Sequence, residues 1–258
     1  MRSSTPEHWE RYWRAHRRVE ETYDNEERLL AQLRDLPLPG RTVLEVGAGS
    51  GRDSLEIAAR GARVVLVDYV MESFAVVRGV AAEAGVELHC VCCDARALPF
   101  REGSFDLVFH QGVLEHFRDP MPLLRENYRV TRPGGHCLVD VPQRYHPYTL
   151  IKHLLIALNL WFAGWETEFS PASLRRVLRA CGYEIVRVGG DWMVPGFAYR
   201  SLRYVLRQWG IARLPKYPRE LPLLGAALRR LRAWVRRRRI GPWTFAMVNV
   251  LGRRPSAP

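Results

Sequence analysis

Arg41-Thr42-Val43-Leu44-Glu45-Val46-Gly47-Ala48-Gly49-Ser50-Gly51-Arg52-Asp53-Ser54 is the stretch from which the rest of the chain is read. An apolar strand, Val43 to Val46, runs into glycines at 47, 49 and 51, and a helical pattern with Leu55, Ile57, Ala58 and Ala59 follows at once. Glycines at a strand-to-helix turn let the backbone bend sharply and approach a ligand closely. The amides that open the helix then face a polar group. The stretch therefore predicts a nucleotide or nucleoside site at the mouth of a βαβ unit.

Working outward, Leu36-Pro37-Leu38-Pro39-Gly40 is a breaker before the first strand, and Gly61 ends the helix predicted over 51–60. Ala62 to Val67 is a nearly continuous apolar run ending in Asp68, the pattern of a parallel strand buried on both faces. A helix over 71–84 stops at Gly85, and strands follow at 86–93 and 104–110. A helix over 121–131 leads through a turn at Pro133-Gly134-Gly135 into a strand at 136–141. Ser170 and Pro171 open a further helix as cap and first residue, and strands at 183–188 and 244–251 complete seven. This alternation predicts an α/β fold: a doubly wound, mostly parallel seven-stranded sheet with helical insertions.

At 258 residues and 47% hydrophobic, the chain is long enough for one α/β domain with insertions. Its formal charge of +12 points to an anionic partner, whether nucleic acid, membrane surface or acidic substrate. The N-terminus has no apolar signal region, and no run of 18 apolar residues suggests a spanning helix. Five cysteines without framework spacing suggest a reducing, cytoplasmic compartment. Cys90-Val91-Cys92-Cys93 falls on a predicted strand without a second ligand pair, so no metal is expected.

The glycine spacing is not the dinucleotide G-x-G-x-x-G. With Glu45 in front it is E-x-G-x-G-x-G, which resembles motif I of the class I methyltransferases that use S-adenosylmethionine. Asp68 ends the second strand, where an acid in dinucleotide folds bonds the ribose hydroxyls. Asp94-Ala95-Arg96-Ala97-Leu98-Pro99-Phe100 resembles the family's D-A-x-x-L-P-F segment. Ser104-Phe105-Asp106-Leu107-Val108 with Val113-Leu114-Glu115-His116 looks like the signature of the ubiquinone and menaquinone biosynthesis type. Leu124 to Gly135 resembles L-x-E-x-x-R-V-L-K-P-G-G, with Thr131 and Arg132 departing from it, and Glu166 to Tyr183 resembles the family's closing segment, with Tyr183 in place of Phe. The blocks cover about 40–190. The resemblance implies S-adenosylmethionine as cofactor. Glu45, Gly47, Ala48, Gly49 and Gly51 would hold its methionine end, Asp68 with Tyr69 its ribose, and Asp94 with Ala95 its adenine. The backbone of His110 would reach the methionine portion, while the side chains of His110 and His116 read as structural.

A sulfonium cofactor brings its own electrophile, so the protein mainly aligns the reacting atoms. A base is required only where the acceptor must lose a proton early. Arg144, Tyr145, His146 and Tyr148 follow the fifth strand, and Tyr145 and His146 are the candidate catalytic pair; a loop anchored by an aromatic is the alternative reading. Residues 1–35, with Trp9, Tyr12, Trp13, His16 and Val19 at helical spacing, read as an N-terminal helical lid on a methyltransferase domain of 36–258. Residues 143–168, with the apolar run Leu154 to Phe162, read as an acceptor cap.

Residues 190–242 carry 13 basic side chains against Asp191 and Glu220, a net +11, beside Leu224, Leu228, Leu231 and Val235 at helical spacing. That combination reads as a basic amphipathic insert meeting an anionic membrane surface, or as a helical pair packed on the domain with a solvated arginine face. The expected activity is methyl transfer to a small-molecule or lipid-like acceptor by a cytoplasmic, peripherally membrane-associated enzyme. Two alternatives are an RNA methyltransferase and a non-catalytic binding protein on the same fold. Against the first, no added nucleic-acid motif is present, and His110-Gln111-Gly112-Val113 stands where base-amino methylases carry N-P-P-Y.

Overall fold

The apolar run at 43–46 alternates its burial between two layers, and the whole fold follows from that alternation. The computed structural model describes residues 5–15, 28–159, 161, 163–192, 194–219 and 222–256, without the side chains of residues 197, 204, 208, 222 and 224. His16, Val19, Leu160, Phe162, Met193 and Glu220 therefore lie outside the described residues, as does the side chain of Leu224. Strand β1 (Thr42–Val46) pairs in parallel with β2 (Arg63–Asp68) and with β4 (Phe105–Gln111). Strand β3 (His89–Cys92) adds to β2, and β5 (Thr131–Pro142) to β4, also in parallel. Strand β7 (Met247–Arg253) is antiparallel to both β5 and β6 (Glu184–Asp191), so the seven-stranded sheet runs β3-β2-β1-β4-β5-β7-β6.

One face of the sheet, with Val43, Leu66, Phe109 and Leu138, is covered by α2 (Arg28–Leu33), α3 (Arg52–Ala59) and α4 (Met71–Ala84). The other, with Leu44, Val67, Val108, Val139 and Val250, is covered by α5 (Met121–Val130) and α7 (Pro171–Ala180). Because successive strand residues face opposite ways, Glu45, Gln111, Asp140 and Asn249 share the first face with Val43, Phe109, Leu138 and Leu251. Ser170 caps α7 through a reciprocal pair of bonds with Ser173, and Pro171 takes the first helical position, as the sequence implies.

Two expectations change in detail. Pro133-Gly134-Gly135 is an irregularity inside β5 rather than a turn before it, because Thr131 already pairs with Phe105 before the ladder resumes at His136 and Leu107. In the segment expected to form a lid, α1 (Pro6–Ala15) buries no residue completely, whereas Leu29, Leu30 and Leu33 of α2 belong to the core. The insertions are helical: α6 (Pro147–Ala157), α8 (Phe197–Gln208), α9 (Pro222–Arg236) and α10 (Gly241–Thr244). Among the described residues, no helix is long and apolar enough to cross a membrane, and no three His, Cys, Asp or Glu side chains are grouped to hold a metal ion.

Candidate functional site

The turn after β1 is spent largely on itself. Gly47 and Ala48 donate their amides to Val67 O at 2.8 and 3.0 Å, and Gly51 donates to Ala48 O at 2.7 Å. These bonds tie the β1 turn to the end of β2 and bring Asp68 to its edge. Gly47 has φ +76°, and a Cβ there would collide with the Val113 side chain; Gly51, at φ +65°, opens α3 from the left-handed region. Both positions therefore need glycine for backbone reasons as well as for space.

Two buried carboxyls lie against this turn. Glu45 accepts from Ser54 Oγ at 2.5 Å, and burial, then Asp53, push its carboxyl well above the usual range. Asp68 accepts from the Val70 amide at 3.0 Å; burial raises its carboxyl against the pull of backbone amides at Val70 and Gly49. Neither is paired with a cation among the described residues. The acid-rich cradle thus fits a ligand that brings positive charge, as S-adenosylmethionine does through its sulfonium and ammonium groups.

A cavity of about 640 Å³ opens here, at the carboxyl ends of β1, β2, β3 and β4. Gly47, Gly49, Asp68, Tyr69, Asp94 and Ala95 line it, all of them residues that the sequence nominates. Asp94 is engaged by Arg96, whose Nη2 lies 2.6 Å from Oδ2, and this guanidinium holds the carboxyl below its usual range. His110 does not line the cavity: its ring is fully buried, neither nitrogen has a hydrogen-bond partner among the described residues, and burial drives its pKa to about 3. The adjacent Gln111 and Gly112 line the cavity in its place. Glu45, Ala48 and Gly51 lie behind the lining.

The opposite wall includes Trp9 and Trp13 of α1. Arg14 Nη2, 2.6 Å from Glu72 Oε1, fastens that helix to α4, and the Trp9 ring meets the His116 ring edge-on at 5.3 Å. His116 also lines the cavity, and burial keeps its imidazole below the ordinary histidine range.

The sequence misses a polar seam behind the turn. Gln111, Asp140 and Asn249 are in register on β4, β5 and β7. Arg28 donates to both Asp140 oxygens, at 3.1 and 2.7 Å, and Asn249 donates to Oδ1 at 3.1 Å. With its amide oriented to satisfy both neighbours, Gln111 donates to Asp53 Oδ2 at 3.0 Å and accepts from Arg28. Burial pushes the Asp140 carboxyl up despite the opposing pull of Arg28 and Asn249. The signal in the sequence is Asp140 and Asn249, each set between two valines, with Gln111 at the end of the run Leu107 to Phe109 and His110.

Tyr145 and His146 stand outside the cavity lining. Tyr145 stacks on Trp243 at 5.8 Å, and His146 Nδ1 accepts from the Tyr148 amide to cap α6. Beyond them Tyr148, Ile156, Trp161 and Ala163 form a small cluster against Trp9 and Leu155. Beneath it Lys152, fully buried, lies 2.8 Å from both Glu166 and Glu168, and Trp161 Nε1 donates to Glu166 at 2.8 Å. Burial opposes the charge of Lys152, and the two carboxylates outweigh it. This ion cluster is a second feature unread in the sequence, because its members are scattered over an apolar helix and the following loop.

Residues 44–139 match the family model described as a methyltransferase domain. The chain is 34% identical over 160 residues to a ubiquinone biosynthesis O-methyltransferase of Ralstonia nicotianae, covering 60% of this chain and 67% of that one. It is also 34% identical over 160 residues to a tRNA U34 carboxymethyltransferase of Hahella chejuensis, covering 59% and 47%. The chain spans about two thirds or less of the length of these curated relatives. Among solved structures, the magnesium protoporphyrin IX methyltransferase of Synechocystis with bound SAH superimposes with a TM-score of 0.56 at 14% identity, over 96% of this chain and 83% of that one.

Proposed function

The chain belongs to the class I S-adenosylmethionine-dependent methyltransferases, and on that premise we propose that it methylates a small, lipid-like acceptor held between α1 and the cap at 143–168. The observation that carries this reading is the cavity whose one wall is the acid-lined glycine turn and whose other wall is aromatic, with Trp9, Trp13 and His116. When bound, S-adenosylmethionine supplies an electrophilic methyl group. Asp68, in the lining, would offer its carboxylate to the ribose end and Asp94 with Ala95 would flank the adenine, while Glu45, behind the lining, would act on the methionine end only through the field of its carboxyl and the turn that it braces through Ser54. Trp9 and Trp13 exclude water, which strengthens the electrostatics inside. His116, kept neutral by burial, is the lining side chain suited to take a proton from an acceptor hydroxyl. Tyr145 and His146 are built into the base of the cap in this reading, so a proton-transfer role for either requires the cap to move.

The acceptor class rests on the apolar cap and on relatives that act in ubiquinone biosynthesis. The basic insert at 190–242 is read as meeting an anionic membrane surface, where such an acceptor resides. The tRNA relative and the charge favour RNA as a second reading. Incubation with methyl-labelled S-adenosylmethionine and a fractionated extract tests the two. Label in the organic-soluble fraction is the expected outcome; label in the RNA fraction alone overturns the lipid-like acceptor, and label in neither overturns the reading as a whole.

A further inference from the structure

Glu115, Lys152, Glu166 and Glu168 are buried together beneath the cap and stand outside the lining of the cofactor cavity. Lys152 Nζ lies 2.8 Å from Glu166 Oε2, and Trp161 Nε1 donates to the other Glu166 oxygen at 2.8 Å. Each oxygen of Glu166 therefore has its own donor, which fixes the carboxylate in one orientation. Glu168 is shared between Lys152 and the half-exposed His153, each at 2.8 Å. Glu115 has no such support. Its Oε2 makes no hydrogen bond among the described residues, and burial, then Glu166, push its carboxyl well above the usual range. The negative charge of that pair of acids stays on Glu166. Apolar packing in the same place would hold the cap at least as well as a buried ion cluster does.

The cluster lies against the segment that carries His116. The Thr167 amide donates to Glu115 O at 2.9 Å, and the His116 ring is hydrogen-bonded to the backbone at Trp165, so residues 165–167 run across Leu114–His116. Trp9 meets the same ring edge-on at 5.3 Å and packs on the cluster of Tyr148 and Trp161. Burial lowers the imidazole; Glu166, then the backbone at Trp165, pull it up, and Lys152 pushes it down. Arg118 and Asp119 follow it in the chain, and α1 brings His8 beside Trp9.

We infer that Glu166 is a positioning residue for proton transfer: fixed by Lys152 and Trp161, its carboxylate offsets the positive charge on His116 when a ring nitrogen takes the proton of the acceptor hydroxyl. This rests on the reading of His116 as the group that takes the proton. Methylation of a hydroxyl releases one proton, and a buried ring holds it far better where a negative charge answers it. Lys152 tempers that carboxylate, so the ring is neutral before the proton arrives.

The ring is read first, in the chain without cofactor, by NMR of ring-labelled histidine, with His116→Gln identifying the signal. Glu166→Gln leaves Lys152 paired with Glu168 and should move the His116 titration to lower pH. K152M/E168Q removes one charge of each sign, leaves Glu166 on Trp161, and should move the titration to higher pH. Turnover with an organic-soluble extract as acceptor should follow, the acid limb of kcat moving the same way in each variant. On the plateau, kcat of Glu166→Gln should fall about tenfold, part of the hundredfold or more carried by His116, with KM for S-adenosylmethionine unchanged. A cluster that merely holds the cap predicts lower thermal midpoints with no shift, or shifts in one direction for both variants, and either result overturns the proposal. Should Glu166→Gln fail to fold, K152M/E168Q decides alone: a move to higher pH supports the role of Glu166, and an unmoved titration overturns it. Absent shifts beside an inactive His116→Gln overturn Glu166 and leave the base standing, whereas a fully active His116→Gln overturns both.

Discussion

At the carboxyl ends of β1, β4 and β5 the polar side chains are buried and spend their hydrogen bonds on one another, whereas across 143–168 and 197–244 apolar side chains stand in solvent. In the first region Arg28 and Asp140 are 8% and 0% exposed. In the second, Leu150 of α6 and Trp209 after α8 are 75% and 74% exposed. The first is a cradle whose buried bonds fix its shape, which suits one small ligand. The second has an apolar surface not covered by its own chain, which suits a partner that brings its own apolar surface. The difference teaches where exact geometry is needed: behind the glycine turn Arg28, Asp140, Asn249 and Gln111 are tied to one another, with His110 a buried exception, whereas across the helical insertions the exposed side chains ask only for shape and hydrophobicity.

The comparison breaks most severely at Arg28. Arg28→Ala leaves Asp140 buried beside Asn249 with no cation, and removing one partner of such a pair costs about 3 to 5 kcal/mol. Denaturant unfolding should show that loss, and Asp140→Asn in the same background should restore part of it. A loss under about 1 kcal/mol would mean that the seam does not hold the cradle.

His116 sits on the line between the two regions. If it takes the proton, His116→Gln should lower turnover about a hundredfold or more while cofactor affinity holds. Its folded pKa lies below the ordinary value near 6.5, so the neutral, proton-accepting form persists as pH falls through that value. Turnover should therefore stay level from pH 7 through 6.5 and decline only below. A decline centred at or above 6.5 would assign proton transfer to another group. The same depressed pKa makes the buried neutral ring a stabilising feature at neutral pH, one that is lost as acid protonates the unfolded chain first.

Asp68→Ala tests the cradle from the ligand side. Losing a carboxylate that bonds two ribose hydroxyls costs about 1.5 to 3 kcal/mol, so calorimetric affinity for S-adenosylmethionine should fall roughly ten- to a hundredfold. Unchanged affinity would remove Asp68 from the site.

The cradle was the legible half for a physical reason. A sharp strand-to-helix turn tolerates few residues, so Gly47 and Gly51 announce it, and a parallel strand covered on both faces writes itself as an apolar run, as the one ending in Asp68 does. What lay behind the turn was not legible. Arg28 and Asp140 are 112 positions apart, and nothing local in a helix of six residues says that its first side chain reaches a carboxyl on the sheet face beneath it. The structural reading of the His110 side chain follows from strand alternation, which turns its ring away from the face that carries Gln111 and into the core with Val108. In the cap, the apolar run at 154–162 was visible, yet its ion cluster was not, because Lys152 on an apolar helix looks like a solvated cation until Glu166 and Glu168 fold beneath it.

The smallest expected effect separates the two faces of α6. Leu154 is 59% exposed, while Leu155, its neighbour, packs on Tyr148, Ile156 and Trp161. Leu154→Asp places a carboxylate in water and should change stability by less than about 0.5 kcal/mol. Leu155→Asp drives one into the cluster and should cost more, about 1 to 3 kcal/mol. Thermal unfolding of the pair reads this difference, and calorimetry with S-adenosylmethionine should give the parent affinity for both, because neither residue lines the cofactor cavity. With folding and cofactor binding held constant, any fall in turnover for Leu154→Asp belongs to the acceptor side alone. Should Leu154→Asp weaken cofactor binding, the cap and the cradle are one unit, and the contrast drawn between them fails.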